Sequence, residues 1–261
     1  MTAPAFQQGG SLLDRPLDAA SVPRRVLVAG ATGGIGRAFC EQVEQRFPDA
    51  SLVRLARNIR NLPDSPSDTL DLGFDITDED SIIEAVGRLD DTPVDWLFVA
   101  TGWLHGDGRR PEKTYKQLSA DNLALSYQLN AIGPALLVKH LVPSLATDRA
   151  AHVGILSARV GSISDNRLGG WHAYRASKAA LNMLIKNFAI EWSRNRLRHV
   201  IVGLQPGTTD TALSAPFQRN VPADHLQTPQ YTASQLAQVM QRLRAEDSGG
   251  LFDFLGLPFE P

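Results

Sequence analysis

The amino-acid sequence predicts an α/β fold: a single doubly wound domain whose parallel sheet has about seven strands, with helices on both faces. Three observations predict it. Short apolar runs alternate with segments of helical periodicity along the 261-residue chain. A glycine-rich turn joins the first apolar run to the first helical segment. No internal repeat and no second domain boundary interrupts this alternation, so we expect all elements to share one sheet.

The positions of the elements follow from the same pattern. Strands are expected near residues 24–30, 50–56, 69–75, 94–100, 150–157, 198–205 and 251–254. Helices are expected over about 35–47, 78–89, 115–147, 171–194 and 232–245, the third of them broken. Ligands of open α/β sheets bind at the carboxyl ends of the strands. This edge should carry the glycine turn, Gly102, Ser157, Tyr174 and Pro206.

Composition and charge exclude several classes of protein. The formal net charge is −2, so we expect no nucleic-acid surface and no membrane-surface patch. The single cysteine, Cys40, excludes an internal disulfide. Together with six scattered histidines it also argues against a structural zinc site, so no metal is predicted. No apolar run approaches the length of a membrane span.

The N-terminal residues differ in composition from the rest. Residues 1–23 are rich in Ala, Gln, Gly and Ser and lack the basic and apolar regions of a signal peptide. We expect a flexible N-terminal extension over 1–23 and one dinucleotide-binding domain over 24–261. These features fit a soluble cytoplasmic protein.

The glycine turn has the context of a dinucleotide site. The buried run 24–29 leads directly into Gly30-Ala31-Thr32-Gly33-Gly34-Ile35-Gly36, and helical spacing follows. Glycines permit a tight turn and close backbone approach, while the helix N-terminus offers free N–H groups to a pyrophosphate. The spacing is G-x-x-x-G-x-G, and a purely structural turn is the alternative. The candidate cofactor contacts in this turn are Gly30, Thr32, Gly34, Ile35 and Gly36.

The end of the second strand indicates which nicotinamide cofactor is bound. About twenty residues after the turn, where an acidic residue would hold the ribose 2′-hydroxyl of NAD, the chain has Ala56 and Arg57. A guanidinium can bind a 2′-phosphate in bidentate fashion, and no carboxylate is present to repel it. The alternative is a solvated surface arginine. We therefore predict NADP(H) rather than NAD(H), with Arg57 as a contact.

The segment Tyr174-Arg175-Ala176-Ser177-Lys178 carries the chemistry. Positions i and i+4 share one helix face, so the phenol and the ammonium can converge on one region. A nearby ammonium favours the ionised phenol and should lower its pKa. Such a tyrosine can exchange a proton with a carbinol oxygen. The spacing alone also arises by chance, so its weight comes from the cofactor site upstream.

These motifs, in this order, resemble the short-chain dehydrogenase/reductase family from about Arg24 to the C-terminus. The resemblance is greatest to carbonyl reductases of the C-factor or sniffer type, and it includes segments 129–134 and 206–211. It implies a Rossmann-type fold and a homodimer or homotetramer paired through the long helices. It also implies Tyr174 as catalytic acid/base, Lys178 on the nicotinamide ribose, and Asn130 holding a relay water. The remaining implied cofactor contacts are Asp75 and Ile76 near the adenine, Gly102, and Pro206, Gly207, Thr209 and Thr211 near the nicotinamide and phosphates.

The sequence departs from the family pattern at two places. The usual Asn-Asn-Ala-Gly is Val99-Ala100-Thr101-Gly102 here. The serine that usually bonds the substrate oxygen is Ala158, with Ser157 just before it. Three alternatives follow: Ser157 supplies the donor, Ser162 supplies it, or Tyr174 works alone at a cost on the order of 10²–10³ in rate. We favour Ser157, although it could equally only cap the strand end.

The leading functional hypothesis is an NADPH-dependent carbonyl reductase, or the reverse alcohol dehydrogenase, acting on a small-molecule carbonyl or alcohol. The alternative is a regulatory or signalling protein of the same fold with weak or no catalysis. A plain nucleotide-binding module would leave Tyr174, Lys178 and Asn130 unexplained. The proline-containing segment 212–230 has little periodicity, so we expect either an irregular lid over the substrate or a disordered loop.

Overall fold

The computed structural model describes residues 10–18, 21–65 and 68–261. Among these residues, seven parallel strands form one sheet. Two further strands of two residues each, β7 and β8, follow the sixth strand along the chain and form a separate pair. The strands are β1 (Arg25–Ala29), β2 (Ser51–Ala56), β3 (Thr69–Gly73), β4 (Trp96–Val99), β5 (His152–Leu156), β6 (Val200–Gln205), β7 (Thr208–Thr209), β8 (Leu226–Gln227) and β9 (Leu251–Asp253). The order in the main sheet is β3-β2-β1-β4-β5-β6-β9, which confirms the predicted doubly wound fold.

Within the described part of the chain, six α-helices pack around this sheet. They are α1 (Gly34–Arg46), α2 (Glu79–Gly87), α3 (Ala120–Tyr127), α4 (Gly133–Leu141), α5 (His172–Arg194) and α6 (Pro229–Gln241). Apolar residues of α1 and α6 pack on one face, and those of α2, α4 and α5 pack on the other. The central strands are buried on both faces, which is why their sequences are mostly apolar, with Arg25 and His152 as the first residues of β1 and β5. None of the helices in the described ranges is long and apolar enough to cross a membrane, and the cytoplasmic location stays a prediction.

The strand order places the functional edge. The chain moves outward from β1 to β2 and β3, then returns to place β4 on the other side of β1. This reversal leaves a crevice at the carboxyl ends of β1 and β4, where ligands of such sheets bind.

The predicted break in the third helix is a π-helical turn, Gln128–Ile132, between α3 and α4. Gly133 follows it, and a Cβ there would lie 2.3 Å from the carbonyl oxygen of Ile76. Glycine therefore lets this helix approach the loop after β3. π-Turns of this kind often occur at functional sites.

Helix α6 begins earlier than predicted. Thr228 caps it by accepting a hydrogen bond from the Tyr231 N–H, and Pro229 occupies its first turn. Proline is favoured there because its missing N–H would be unpaired anyway. The expected irregular lid also contains a 3₁₀ turn, Ala215–Asn220, and β8.

Part of the N-terminal extension is packed, which differs from the expected flexibility. Residues 1–9, 19 and 20 lie outside the described residues. Leu12 is buried, and its N–H donates to the Gly256 carbonyl at 2.9 Å. Arg15 binds both carboxylate oxygens of Asp247 at 2.6 and 3.0 Å. An apolar anchor and a bidentate ion pair therefore hold this segment against the C-terminal part of the domain.

Candidate active site

A cavity of about 420 Å³ opens at the carboxyl edge of the sheet, beside the glycine turn. Several predicted cofactor residues line it, although they come from four different parts of the chain. They are Gly30, Thr32, Arg57, Ile76 and Gly102. The cavity therefore brings together the glycine turn and the ends of β2, β3 and β4.

The glycines of the turn are required by close packing. Gly30 has φ +84°, and a Cβ there would lie 3.1 Å from backbone atoms at Ala100 and Thr101. A Cβ at Gly36 would lie 2.2 Å from the Gly30 carbonyl oxygen. A Cβ at Gly34 would lie 2.7 Å from Cγ2 of Thr211. Thr211, a predicted cofactor contact far away in the sequence, therefore lies next to the glycine turn. The first turn of α1 thus presents bare backbone at the crevice.

Thr101 is a site residue that the sequence analysis did not select. Its Oγ1 is buried and has no hydrogen-bond partner among the described residues. Thr101 also lines the cavity with Gly30 and Gly102. At the cavity wall, such a hydroxyl is available to bond a polar ligand group or a water. The available signal was its position beside Gly102, in the segment after β4 where the family pattern has alanine and this chain has a hydroxyl.

Arg54 within β2 and Arg57 just after it have different environments. Arg54 is buried and binds Asp71 on β3 through two bonds of 2.7 Å, so it holds two strands together. Arg57 is exposed and lines the cavity. Of these two guanidiniums, only that of Arg57 can reach a ligand from the cavity wall.

Asp75 shapes the loop after β3. Burial raises the pKa of its carboxyl, but hydrogen bonds from the Thr77 N–H and hydroxyl, with the charge of Arg57, lower it to a net depression. The two bonds measure 2.9 and 2.7 Å. Phe74, Ile76 and Thr77 line the cavity. Asp75 therefore orders the segment that forms this wall.

A second cavity, of about 340 Å³, lies beside Tyr174. It contains another group of predicted residues: Ile35, Ser157, Tyr174, Pro206, Gly207, Thr209 and Thr211. Its other walls are largely apolar and include Leu104, Trp171, Leu213 and Phe217. The glycine turn contributes to both cavities, because Thr32 lines the first and Ile35 lines the second.

Tyr174 and Lys178 lie on one face of α5, with Nζ of Lys178 5.9 Å from the centre of the phenol ring. Nζ donates to the Leu156 carbonyl at 2.8 Å. Burial raises the pKa of Tyr174 to about 12 and lowers the pKa of Lys178 to about 7. The expectation that the ammonium lowers the phenol pKa is therefore wrong for this structure, because burial penalises the charged form of each group.

Asn130 lies in the π-helical turn and is completely buried. Its Oδ1 accepts the Trp103 N–H at 2.8 Å, and its Nδ2 donates to the Trp103 carbonyl at 2.9 Å and to Ser177 Oγ at 3.0 Å. A Cβ at Gly102 would lie 3.7 Å from Asn130 Oδ1 and 3.9 Å from Lys178 Nζ. The helix break thus ties the loop after β4 to the helix that carries Lys178.

Both candidate serine hydroxyls are bound to other partners. Ser157 lines the cavity of Tyr174, but its Oγ donates to Asn182 Oδ1 at 2.6 Å. Ser162 Oγ accepts the Asp165 N–H at 3.1 Å and lines a different cavity. Ala158 lines the cavity of Tyr174. A donor role for Ser157 therefore requires its hydroxyl to leave Asn182.

Aromatic side chains form one wall of the second cavity. The Trp171 ring lies 5.0 Å from that of Phe217 and 6.3 Å from that of Tyr174. His105 packs edge-on against Phe217 at 5.5 Å and bonds the Leu213 carbonyl at 3.0 Å. Segments after β4, β5 and β7 therefore meet over the tyrosine.

The geometry defines a class: a doubly wound α/β protein with a dinucleotide-type glycine turn and a tyrosine–lysine pair at the same sheet edge. The short chain dehydrogenase family profile matches residues 24–222. The chain therefore belongs to the short-chain dehydrogenase/reductase family of oxidoreductases, as the motifs predicted.

Individual relatives agree with this assignment. The 1-hydroxy-2-glutathionyl-2-methyl-3-butene dehydrogenase of Rhodococcus sp. (strain AD45) is 31% identical over 229 residues, covering 86% of this chain and 93% of that protein. The carbonyl reductase Sniffer of D. melanogaster superposes with a TM-score of 0.79 at 22% identity, covering 91% of this chain and 99% of that one. An NADPH-bound carbonyl reductase from chicken fatty liver superposes with a TM-score of 0.78 at 22% identity, with the same coverage of both chains. These two structures support the fold.

Proposed function

We propose that this protein is an NADP(H)-dependent carbonyl reductase, or the reverse alcohol dehydrogenase, with Tyr174 as the acid/base. The observation that carries the proposal is convergence at one sheet edge. Lys178 Nζ lies near Tyr174 and Gly102, Asn130 holds the adjoining loop, and the glycine turn borders both cavities. Bound NADP(H) would supply the hydride.

The residues present fit such a cofactor. The turn offers bare backbone at Gly30, Gly34 and Gly36, and the buried Thr101 hydroxyl lacks a partner within the described ranges. Thr101, Gly30 and Arg57 would hold the dinucleotide from the first cavity, and Pro206, Gly207, Thr209 and Thr211 would hold its nicotinamide end from the second. Asp75 would contribute indirectly, by ordering the loop that places Ile76 in the cavity wall.

The proton step belongs to Tyr174. In the reduction direction the phenol holds a proton near neutral pH and gives it to the carbonyl oxygen as charge builds there. Lys178 would bind the nicotinamide ribose and carry charge beside the phenol. Asn130 would hold a relay water, while its present bonds fix the position of Trp103.

A turnover assay tests this function. Purified protein would be mixed with NADPH and a panel of aldehydes, ketones and quinones, and the loss of NADPH absorbance would be followed. Tyr174→Phe should lose most of the turnover and retain NADPH binding, because it removes only the exchangeable proton. Tyr115→Phe is the matched control, since Tyr115 is 70% exposed. Tight NADPH binding without turnover of any carbonyl would favour the regulatory alternative.

The proposed preference for NADP(H) rests on Arg57 and on the lack of an acid at the end of β2. The NADPH-bound chicken carbonyl reductase supports it as a structural neighbour. Arg57→Ala should reduce the ratio of NADPH to NADH efficiency by at least tenfold, about 1.4 kcal/mol. Arg60→Ala is the control, because Arg60 is exposed and does not line the cavity. An unchanged ratio in Arg57→Ala would remove this residue from cofactor selection.

We also propose a homodimer or homotetramer paired through the long helices. Met183 and Ile190 on α5 are 62% and 41% exposed, and Ile132 before α4 is 42% exposed. Exposed apolar side chains on neighbouring helices are typical of a contact surface. Light scattering should give a multiple of the chain mass, and Met183→Glu should shift it toward the monomer. A monomeric wild type would refute this.

A further inference from the structure

Glu112 is a buried carboxylate that the proposed reaction does not use. It lies in the loop between β4 and α3 and is only 2% exposed. Burying a charge is costly unless hydrogen bonds satisfy it. Glu112 Oε2 accepts the Ala173 N–H at 3.1 Å, and Oε1 accepts from the Asn122 side chain. The carboxylate thus joins α3 to the first turn of α5.

The same residue also binds the turn that begins α5. Its carbonyl oxygen accepts the Trp171 N–H at 2.5 Å. Trp171 is the residue before the helix, has φ 49°, and makes no side-chain cap of its own. A left-handed conformation costs a non-glycine residue about 1–2 kcal/mol. Glu112 offsets this cost by capping the helix from a distant segment, where a negative charge also suits the helix dipole.

The loop that ends at Glu112 forms part of both cavities. Asn130 holds its beginning at Trp103, and Trp103 and Asp107 line the first cavity. Leu104 lines the second cavity. Glu112 fixes the other end of the loop against the helix turn that immediately precedes Tyr174. The loop is therefore anchored at both ends to elements of the proposed site.

We propose that Glu112 is a positioning residue, which sets the place of Tyr174 and Trp171 by capping α5 and anchoring the loop over the two cavities. The proposal rests on the proposed function for its effect on turnover. The proposed role is geometric: the position of α5 depends on the two acceptor oxygens of the Glu112 side chain more than on its charge. Misplacing a reacting group by about 1 Å can cost on the order of 10²-fold in rate.

Two substitutions separate geometry from charge. Glu112→Gln keeps an oxygen for the Ala173 N–H, and its amide can donate to Asn122 Oδ1 after that side chain turns, because this oxygen has no partner among the residues described. Glu112→Ala removes both bonds. We expect kcat to fall 10- to 100-fold in Glu112→Ala with KM for NADPH within twofold of wild type. Glu112→Gln should restore kcat to within threefold.

Hydrogen exchange gives a readout that does not depend on turnover. Peptides covering residues 170–178 should exchange at least tenfold faster in Glu112→Ala than in wild type and at the wild-type rate in Glu112→Gln. Val94→Ala is the destabilised control, because Val94 is fully buried just before β4, at the opposite end of the sheet. It should lower Tm while leaving kcat and this exchange unchanged. Should Glu112→Ala not fold, Glu112→Asp, whose shorter side chain cannot hold both bonds, replaces it with the same expectations.

The outcomes are distinguishable. Equal kcat and equal exchange in wild type and Glu112→Ala would overturn the positioning role, as would Glu112→Gln behaving like Glu112→Ala. If the wild-type protein reduces no carbonyl, the proposed function fails, and the exchange comparison alone decides whether Glu112 holds the start of α5. Loss of NADPH binding in parallel with kcat in Glu112→Ala would indicate a general structural role and also overturn the proposal.

Discussion

Ser157 and Ala158 are adjacent in sequence and both line the cavity of Tyr174, but the one hydroxyl of the pair already has a partner. Ser157 Oγ donates to Asn182 Oδ1 at 2.6 Å inside the protein, and Ala158 faces the cavity of Tyr174. We therefore predict that Ser157 contributes to stability and not to turnover. Removing a partner from a buried hydrogen bond costs about 1–3 kcal/mol.

Two substitutions test this prediction. Ser157→Ala should lower Tm by roughly 2–12 °C, taking about 2–4 °C per kcal/mol for a domain of this size, and leave kcat within threefold. Ala158→Ser places a hydroxyl on the cavity side and should raise kcat by up to about 10²–10³, the value of one oxyanion donor. Turnover of the preferred carbonyl and thermal unfolding are the two assays. A hundredfold loss of kcat in Ser157→Ala with an unchanged Tm would refute the reasoning and restore Ser157 as the donor.

Three further predictions concern the glycine turn and the buried titratable groups. Gly36→Ala should abolish NADPH binding, because the new Cβ would lie 2.2 Å from the Gly30 carbonyl, while Gly87→Ala, with no atom within 4 Å, should bind normally. Cys40, whose pKa burial raises to about 12, should resist Ellman's reagent at pH 8 in the native protein and react fully in denaturant; rapid native labelling would contradict its burial. Lys178 has a folded pKa of about 7 against 10.5 unfolded, so the unfolded state binds more protons between these values, and stability should rise with pH by at most about 1.4 kcal/mol per unit. Urea unfolding at pH 7 and pH 9 should show this rise in the free energy of unfolding for wild type and a smaller rise for Lys178→Met. An equal rise in both proteins would contradict the lowered pKa of Lys178.

Much of the fold was predictable because burial on both faces leaves a direct trace in the sequence. The runs that became β1, β4 and β5 are apolar after the first residues of β1 and β5, Arg25 and His152, and the glycine turn marks the first crossover. The break between α3 and α4 was also predicted. The start of α6 was placed too late because Pro229 was assigned to a loop, whereas a proline in the first turn of a helix is favourable.

The sequence predicted the candidate site well where a residue type has one characteristic role, and less well where the role depends on the orientation of the side chain. Glycines of the turn and the Tyr174–Lys178 spacing depend on local geometry that the sequence carries. The direction of Ser157 depends on which face of β5 meets α5, which no local pattern fixes. Glu112 lies in an aperiodic loop and contacts a helix 61 residues away, so its role depends on tertiary structure.

The pKa values of the tyrosine–lysine pair bear on the direction of the proposed reaction. Reduction of a carbonyl needs a protonated Tyr174, and alcohol oxidation needs the tyrosinate. Burial raises the phenol pKa to about 12, so the phenol holds its proton near neutral pH, and burial lowers the pKa of Lys178 to about 7. Oxidation would require a bound group that favours the lysine charge, and with it the ionised phenol. Near neutral pH the protonated Tyr174 therefore suits the proton-donating step of the proposed reduction.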